Sequence, residues 1–144
     1  MTVMTSIDFH SNVPDKVGHA CRLVRKAALA GKLVVLLTED AAQLAQLNDA
    51  LWTFSATDFL PHVVAGDPLA AQTAVVLTDD DSVELPHHDI LVNLSRRLPA
   101  NFSSFQRVFE IISSDHDDAA AGRKRSVTYK QQDHQPTHFV AGKT

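Results

Sequence analysis

Cysteine occurs once in the 144 residues, at Cys21. A single thiol excludes a disulfide framework and a cysteine metal cage, and it suits a reducing compartment. Glycine is scarce: five residues, at 18, 31, 66, 122 and 142, none close enough to another to cradle a pyrophosphate. Neither G-x-G-x-x-G nor G-x-x-x-x-G-K-[ST] is present, and the turn His10-Ser11-Asn12-Val13-Pro14 after the first strand-like stretch has no glycine. A dinucleotide or P-loop enzyme is therefore disfavoured. Positive charge is not in excess either. The net charge of −4 argues against a general polyanion binder, so any acidic partner must meet a local basic patch. No apolar run approaches the ~18 residues of a membrane helix, and residues 1–10 lack the basic start and apolar run of a signal peptide. These absences lead us to expect a soluble, cytoplasmic protein without a membrane partner.

What is present has the composition of a globular domain, with 44% hydrophobic residues, enough for a core without staples. Residues 4–9 alternate as a first strand. Ser11 or Asn12 can cap a helix that tolerates Pro14 in its first turn, with Val17, Ala20, Cys21, Val24, Ala27 and Ala28 on one face. Gly31 is expected to end it in the left-handed conformation. Residues 33–37 form a continuous apolar run, read as a strand buried on both faces. Residues 38–40 cap a second helix whose inner face is Ala41, Leu44, Ala45, Asn48, Leu51 and Trp52. Further strands are expected at 62–65, 74–77 and 90–94, while 105–112 fits a strand or a helix. The acidic run 113–118 starts a helix continuing through 119–130, weakened by Gly122 and short of apolar anchors. The strand–helix alternation implies an α/β layered domain with a mostly parallel sheet over residues 1–130, followed by a polar, mobile tail at 131–144.

Candidate chemistry is thin. His87-His88-Asp89 lies near Asp79-Asp80-Asp81, but adjacent residues of an extended segment point to opposite faces, so a solvated connection outweighs a metal site. His134 and His138 have helical spacing, which Pro136 between them spoils. No serine sits in a nucleophile elbow, and Cys21 faces the core. No catalytic residue, metal ligand or cofactor site is predicted, which favours a binding module. Two features suit one. Trp52, the only tryptophan, ends a helix and is followed by Phe59 and Pro61; it is either a core residue or part of a half-exposed apolar patch. Arg123, Lys124, Arg125 and Lys130 place four of thirteen basic residues within eight positions, as a local cationic patch or as a solvated helix end.

The order Gly31-Lys32 with its apolar strand, Thr38-Glu39-Asp40, Leu47-x-x-x-Leu51-Trp52, Phe59-Leu60-Pro61-His62, Ile90-Leu91-Val92-Asn93-Leu94 and Phe105-x-x-Val108-x-Glu110-Ile111 resembles the chi subunit of bacterial DNA polymerase III holoenzyme. The likeness runs from the first strand to about residue 112. It implies a three-layer α/β/α fold of about five to six strands, Rossmann-like without a phosphate-binding loop. It also implies a non-catalytic accessory subunit of a nucleotidyltransferase complex, needing no cofactor. That subunit links the clamp loader, through its psi subunit, to the acidic C-terminal tail of single-stranded DNA-binding protein, which ends in a phenylalanine bearing the terminal carboxylate. DNA is then met only indirectly. By this resemblance Trp52, Phe59 and Pro61 bind psi, and Arg123, Lys124, Arg125, Tyr129 and Lys130 bind the tail. The competing readings are a degenerate nucleotide-binding domain with residual activity and an adaptor for a repair helicase.

Overall fold

In the computed structural model, which describes residues 5–53 and 61–141, seven parallel strands form one sheet in the order β3-β4-β2-β5-β6-β1-β7. The strands are β1 (Ser6–Val13), β2 (Val34–Leu37), β3 (His62–Val64), β4 (Val75–Thr78), β5 (Ile90–Asn93), β6 (Arg107–Ser113) and β7 (Thr137–Val140). Among the described residues the α-helices are α1 (Lys16–Leu29), α2 (Ala41–Thr53) and α3 (His116–Gln131), with short 3-10 turns at Ala70–Gln72 and Phe102–Ser104. From β1 the chain moves across the sheet in one direction through α1 and α2, then reverses and returns to β7 through α3. A crossover between parallel strands is right-handed, so the reversal puts α3 on the opposite face from α1 and α2.

Two cores result. Ala20, Cys21 and Val24 of α1 and Leu47 and Leu51 of α2 pack on Val34, Leu36, Val75, Leu77, Val92 and Ile111. On the other face Tyr129 of α3 packs with Ile7, Phe9, Val35, Leu37, Leu91 and Val108. β2, β4 and β5 are buried along their whole length. That explains why they read as unbroken apolar runs rather than as alternation.

Several expectations need correction. Of the two readings of 105–112 the strand is the one formed, as β6 over Arg107–Ser113, its side chains alternating between the two cores: Phe109 and Ile111 face one, Val108 and Ile112 the other. β1 continues through Asn12, which takes a positive φ of 56° where the strand loses register. The cap of α1 is therefore Asp15, whose carboxylate accepts the Gly18 amide, and Pro14 precedes the helix. In α2 the buried residues are Leu47 and Leu51, while Ala41, Ala45 and Trp52 are exposed. Alanine is nearly neutral about burial, so it misplaced the inner face. The segment expected as a mobile tail contains β7, which pairs with β1 from Asp8–Thr137 to Ser11–Val140. Its own side chains are all exposed, so no hydrophobic alternation announced it.

Two glycines matter sterically. Gly31 has φ 77° and turns the chain out of α1 as expected. Gly122 is no weakness: a Cβ there would lie 2.2 Å from Ile112 Cδ1, so its absence lets α3 sit close on β6.

Candidate functional site

Ligands of open parallel sheets bind outside the carboxyl ends of the strands, where helix N-termini offer free amides to anions. Here that crevice is filled with the protein's own charges. The Asp15 carboxylate caps α1, Asp40 Oδ1 accepts the Gln43 amide in the first turn of α2, and Asp115 accepts the Asp117 and Asp118 amides at the start of α3. Between them Lys16 Nζ donates to the Leu94 carbonyl at 2.6 Å and to Asp118 at 3.0 Å. Arg96 lies 3.2 Å from Asp115 and 3.5 Å from Asp118, and its amide donates to Glu39 Oε2 at 2.6 Å. Burial alone would raise the Asp118 carboxyl, but the Ser113 amide and the Lys16 ammonium together hold it below the usual carboxylate range. Burial also lowers the Lys16 ammonium, with Asp118 opposing. Each helix start thus already carries its anion, and a phosphate would meet carboxylates.

Of the five tail-binding candidates, two lie inside the protein. Arg125 and Tyr129 are 3% and 0% exposed and surround Glu110, a carboxylate buried at the centre of β6. Arg125 Nε donates to Glu110 Oε1 at 3.0 Å, the Tyr129 hydroxyl to Oε2 at 2.6 Å, and Asn93 Nδ2 to Oε1 at 2.9 Å. Arg125 Nη1 also donates to the Arg96 carbonyl at 2.9 Å. Arg125 Nη2 lies 3.0 Å from Oε1 too, but too far off line to bond. Burial pushes the Glu110 carboxyl up, and the guanidinium and the donated hydrogen bonds pull against it. Burial and the Glu110 charge push the Tyr129 phenol up. These residues pin α3 to β5 and β6. They are core residues and not the surface contacts expected: a run of basic residues suggested one helical surface, but Arg125 and Tyr129 sit on the stripe facing the sheet.

The other three cations are exposed on two sides of α3. Arg123 and Lys130 border a groove of about 520 Å³ between α3 and the ends of β1, β6 and β7. Its walls include Phe9, Ile112, Gly122 and Val127, and Val127 is 53% exposed. Lys124 turns to the opposite flank, toward Arg96 and Thr128. Sequence reading missed His138 in this groove, where it stacks on Phe9 at 5.2 Å. It was invisible because β7 was.

At the far edge of the sheet Trp52 is 54% exposed, its ring 4.7 Å from that of His62 on the edge strand β3. Pro61 is exposed beside it in sequence, and Val64, two residues further along the strand, is 38% exposed. The indole is thus at the surface rather than sealing the core. Phe59 lies outside the described residues. The histidines considered for metal have separate partners: His87 packs toward the Thr73 carbonyl and His88 against Phe105, while His134 rests on Phe102 and His138 on Phe9.

A parallel α/β scaffold whose nucleotide crevice is closed by its own ion pairs, with an apolar edge and a cationic groove left open, has the makings of a binding subunit. The chain belongs to the family described as DNA polymerase III chi subunit, HolC, whose profile matches residues 4–137. It is 31% identical over 133 residues to the DNA polymerase III subunit chi of Pseudomonas aeruginosa, covering 90% of this chain and 92% of that protein. The chi subunit of Haemophilus influenzae is 27% identical over 112 residues, 78% of this chain and 76% of its own. That of Escherichia coli is 25% identical over 126 residues, 88% and 84%. Its family makes the chain an accessory subunit of DNA polymerase III with a part in DNA replication. No helix among the described residues is long and apolar enough to cross a membrane.

Proposed function

We propose that this cytoplasmic subunit has no catalytic activity of its own and tethers the clamp loader to single-stranded DNA-binding protein, holding the acidic tail of the latter in the α3–β7 groove. The observation that carries the reading is the chemistry of that groove. Arg123 and Lys130 stand on its rim and Phe9, Ile112 and Val127 in its walls, which suits a peptide ending in an aromatic side chain and a carboxylate. Arginine clamps a carboxylate with paired donors. Lys124, on the other flank, would add only long-range attraction. Weak single contacts suffice, because many tails on coated template raise the effective concentration.

The second contact is with psi, on the patch of Trp52 and Pro61, with Phe59 assigned by the family resemblance. A half-exposed indole beside a proline-stiffened segment loses little entropy on docking, and tryptophan is the residue type most often found to anchor interfaces.

The test is titration of a labelled acidic peptide with a C-terminal phenylalanine. Arg123→Ala with Lys130→Ala is expected to weaken binding at least about tenfold at low salt, each lost charge-assisted contact being worth about 1 kcal/mol after screening. Unchanged affinity in that double variant would remove the groove from consideration.

A further inference from the structure

The helices cover the sheet unevenly. On the side of α1, Arg107 and Phe109 pair in register with Ser6 and Asp8, and Asp8 and His10 with Thr137 and Phe139, so these residues share one sheet surface. α1 packs over β2 and β6, while β7 is exposed throughout and Phe139 is 56% exposed. The rings form a row: Phe139 lies 5.4 Å from His10, which lies 5.4 Å from Phe109, and the Arg107 guanidinium stands 4.5 Å above Phe109. A groove of about 670 Å³ leads from His10 and Phe109 to the C-terminal end of α1, with Lys26, Lys32 and Arg107 around it. Two carboxylates oppose these cations. Asp8 pairs with Arg107 at 2.6 Å, and Asp89 lines the groove and accepts the Leu33 amide at 3.3 Å. Lys26 and Lys32 are both exposed.

We propose that this face binds single-stranded nucleic acid directly, with phosphates on Lys26, Lys32 and Arg107 and a base stacked on Phe139. Phe109 is buried beneath Arg107, but Phe139 is open and His10 half-buried beside it; an exposed ring bordered by cations is what unpaired bases and their backbone need. Exposed phenylalanine on an edge strand gains nothing in water and is covered by a stacked base. The site is weak by design of its charge: the protein carries −4 overall, so attraction is local and collapses with salt. It lies on the opposite face of the sheet from the α3 groove and does not depend on the tail reading.

The experiment is fluorescence anisotropy of a labelled oligo-dT of about 12 nucleotides with the intact chain at about 20 mM salt, where the Debye length is about 20 Å. Binding is expected with a log–log salt slope of about −2, from three phosphates at about 0.7 each. Lys26→Ala with Lys32→Ala should cut that slope by about 1.4. Phe139→Ala should weaken binding at least about fivefold while melting with the parent. No binding by the parent at low salt overturns the proposal. So does binding that ignores these substitutions and disappears with Arg123→Ala and Lys130→Ala, which would move the nucleic acid to the other face.

Discussion

Replacing Arg125 with alanine separates a core role from a surface role. The guanidinium is buried and supplies Glu110 Oε1 with a hydrogen bond at 3.0 Å and the Arg96 carbonyl with one at 2.9 Å. Removing it strands a carboxylate that is 0% exposed, with only the Tyr129 hydroxyl and the Asn93 amide to hold its charge. Breaking a buried pair in this way costs about 3–5 kcal/mol, which for a domain of this size lowers Tm by about 10–15 °C. The particular signature lies in the double variant. Adding Glu110→Gln removes the stranded charge, so the double variant should melt above Arg125→Ala alone, a coupling of opposite sign to simple addition. Tyr129→Phe, which takes one donor from a charged acceptor, should cost about 1.5–3 kcal/mol. Thermal melts and urea unfolding, both followed by far-UV circular dichroism, measure the Tm changes and the free energies. Tail-peptide titration at a temperature where each variant is folded measures the alternative. Arg125→Ala that unfolds like the parent but no longer binds the peptide would refute the core assignment and return Arg125 to the surface.

Trp52→Ala should leave Tm within about 2–3 °C of the parent, because a half-exposed ring loses little burial, and should weaken psi binding in a pull-down; loss of the cooperative transition would instead make the indole structural. His10 Nδ1 and His19 Nε2 lie 2.8 Å apart, and both imidazoles titrate below their ordinary 6.5. For His10 the cause is burial, with Asp8 opposing; for His19 it is burial, reinforced by His10 and Arg22. A depressed histidine contributes stability above its unfolded pKa and loses it as pH falls through the folded one. Tm should therefore drop as pH is lowered from about 7 to 5, and His19→Gln should flatten that part of the profile. A parent whose Tm is level over this window would show that the pair does not couple folding to protons.

How far the sequence reached follows from what each element buries. The central strands were legible because both of their faces are covered: Leu33-Val34-Val35-Leu36-Leu37 and Ile90-Leu91-Val92-Asn93-Leu94 admit almost no polar residue. Gly31 was legible because a left-handed residue after a helix has one usual occupant. β7 was not, since Thr137–Val140 is held by backbone pairing to β1 and not by burial. The basic cluster of α3 was legible as charge and only in part as surface, since Arg123, Lys124 and Lys130 are exposed and Arg125 is buried. Nothing in Arg123-Lys124-Arg125 says which of the three meets Glu110, because that depends on the phase of α3 against β6. One local signal pointed to it: Glu110 inside an otherwise apolar strand demands a buried cation, and Arg125 and Tyr129, four apart, share one helical stripe.

The same arithmetic of charge explains how a sheet of this topology can serve as a scaffold instead of a nucleotide site. A phosphate at a helix N-terminus is stabilised by amides that have no other acceptor. In α1 and α3 the residue immediately before the first turn, Asp15 or Asp115, supplies that acceptor, and Asp40 does so at α2. A side-chain carboxylate held by its own backbone is already in place, whereas a free phosphate must be recruited and would lie within a few ångströms of like charge. Lys16 and Arg96, the cations placed to recruit it, are engaged by Asp118, Asp115 and the Leu94 carbonyl. The crevice thereby holds more carboxylates than cations, each tied to a neighbouring element. Together with Arg125 and Tyr129 on Glu110, these contacts hold α3 in the phase that puts Arg123 and Lys130 outward and Arg125 inward, so the closed crevice and the open groove rest on neighbouring sets of polar contacts.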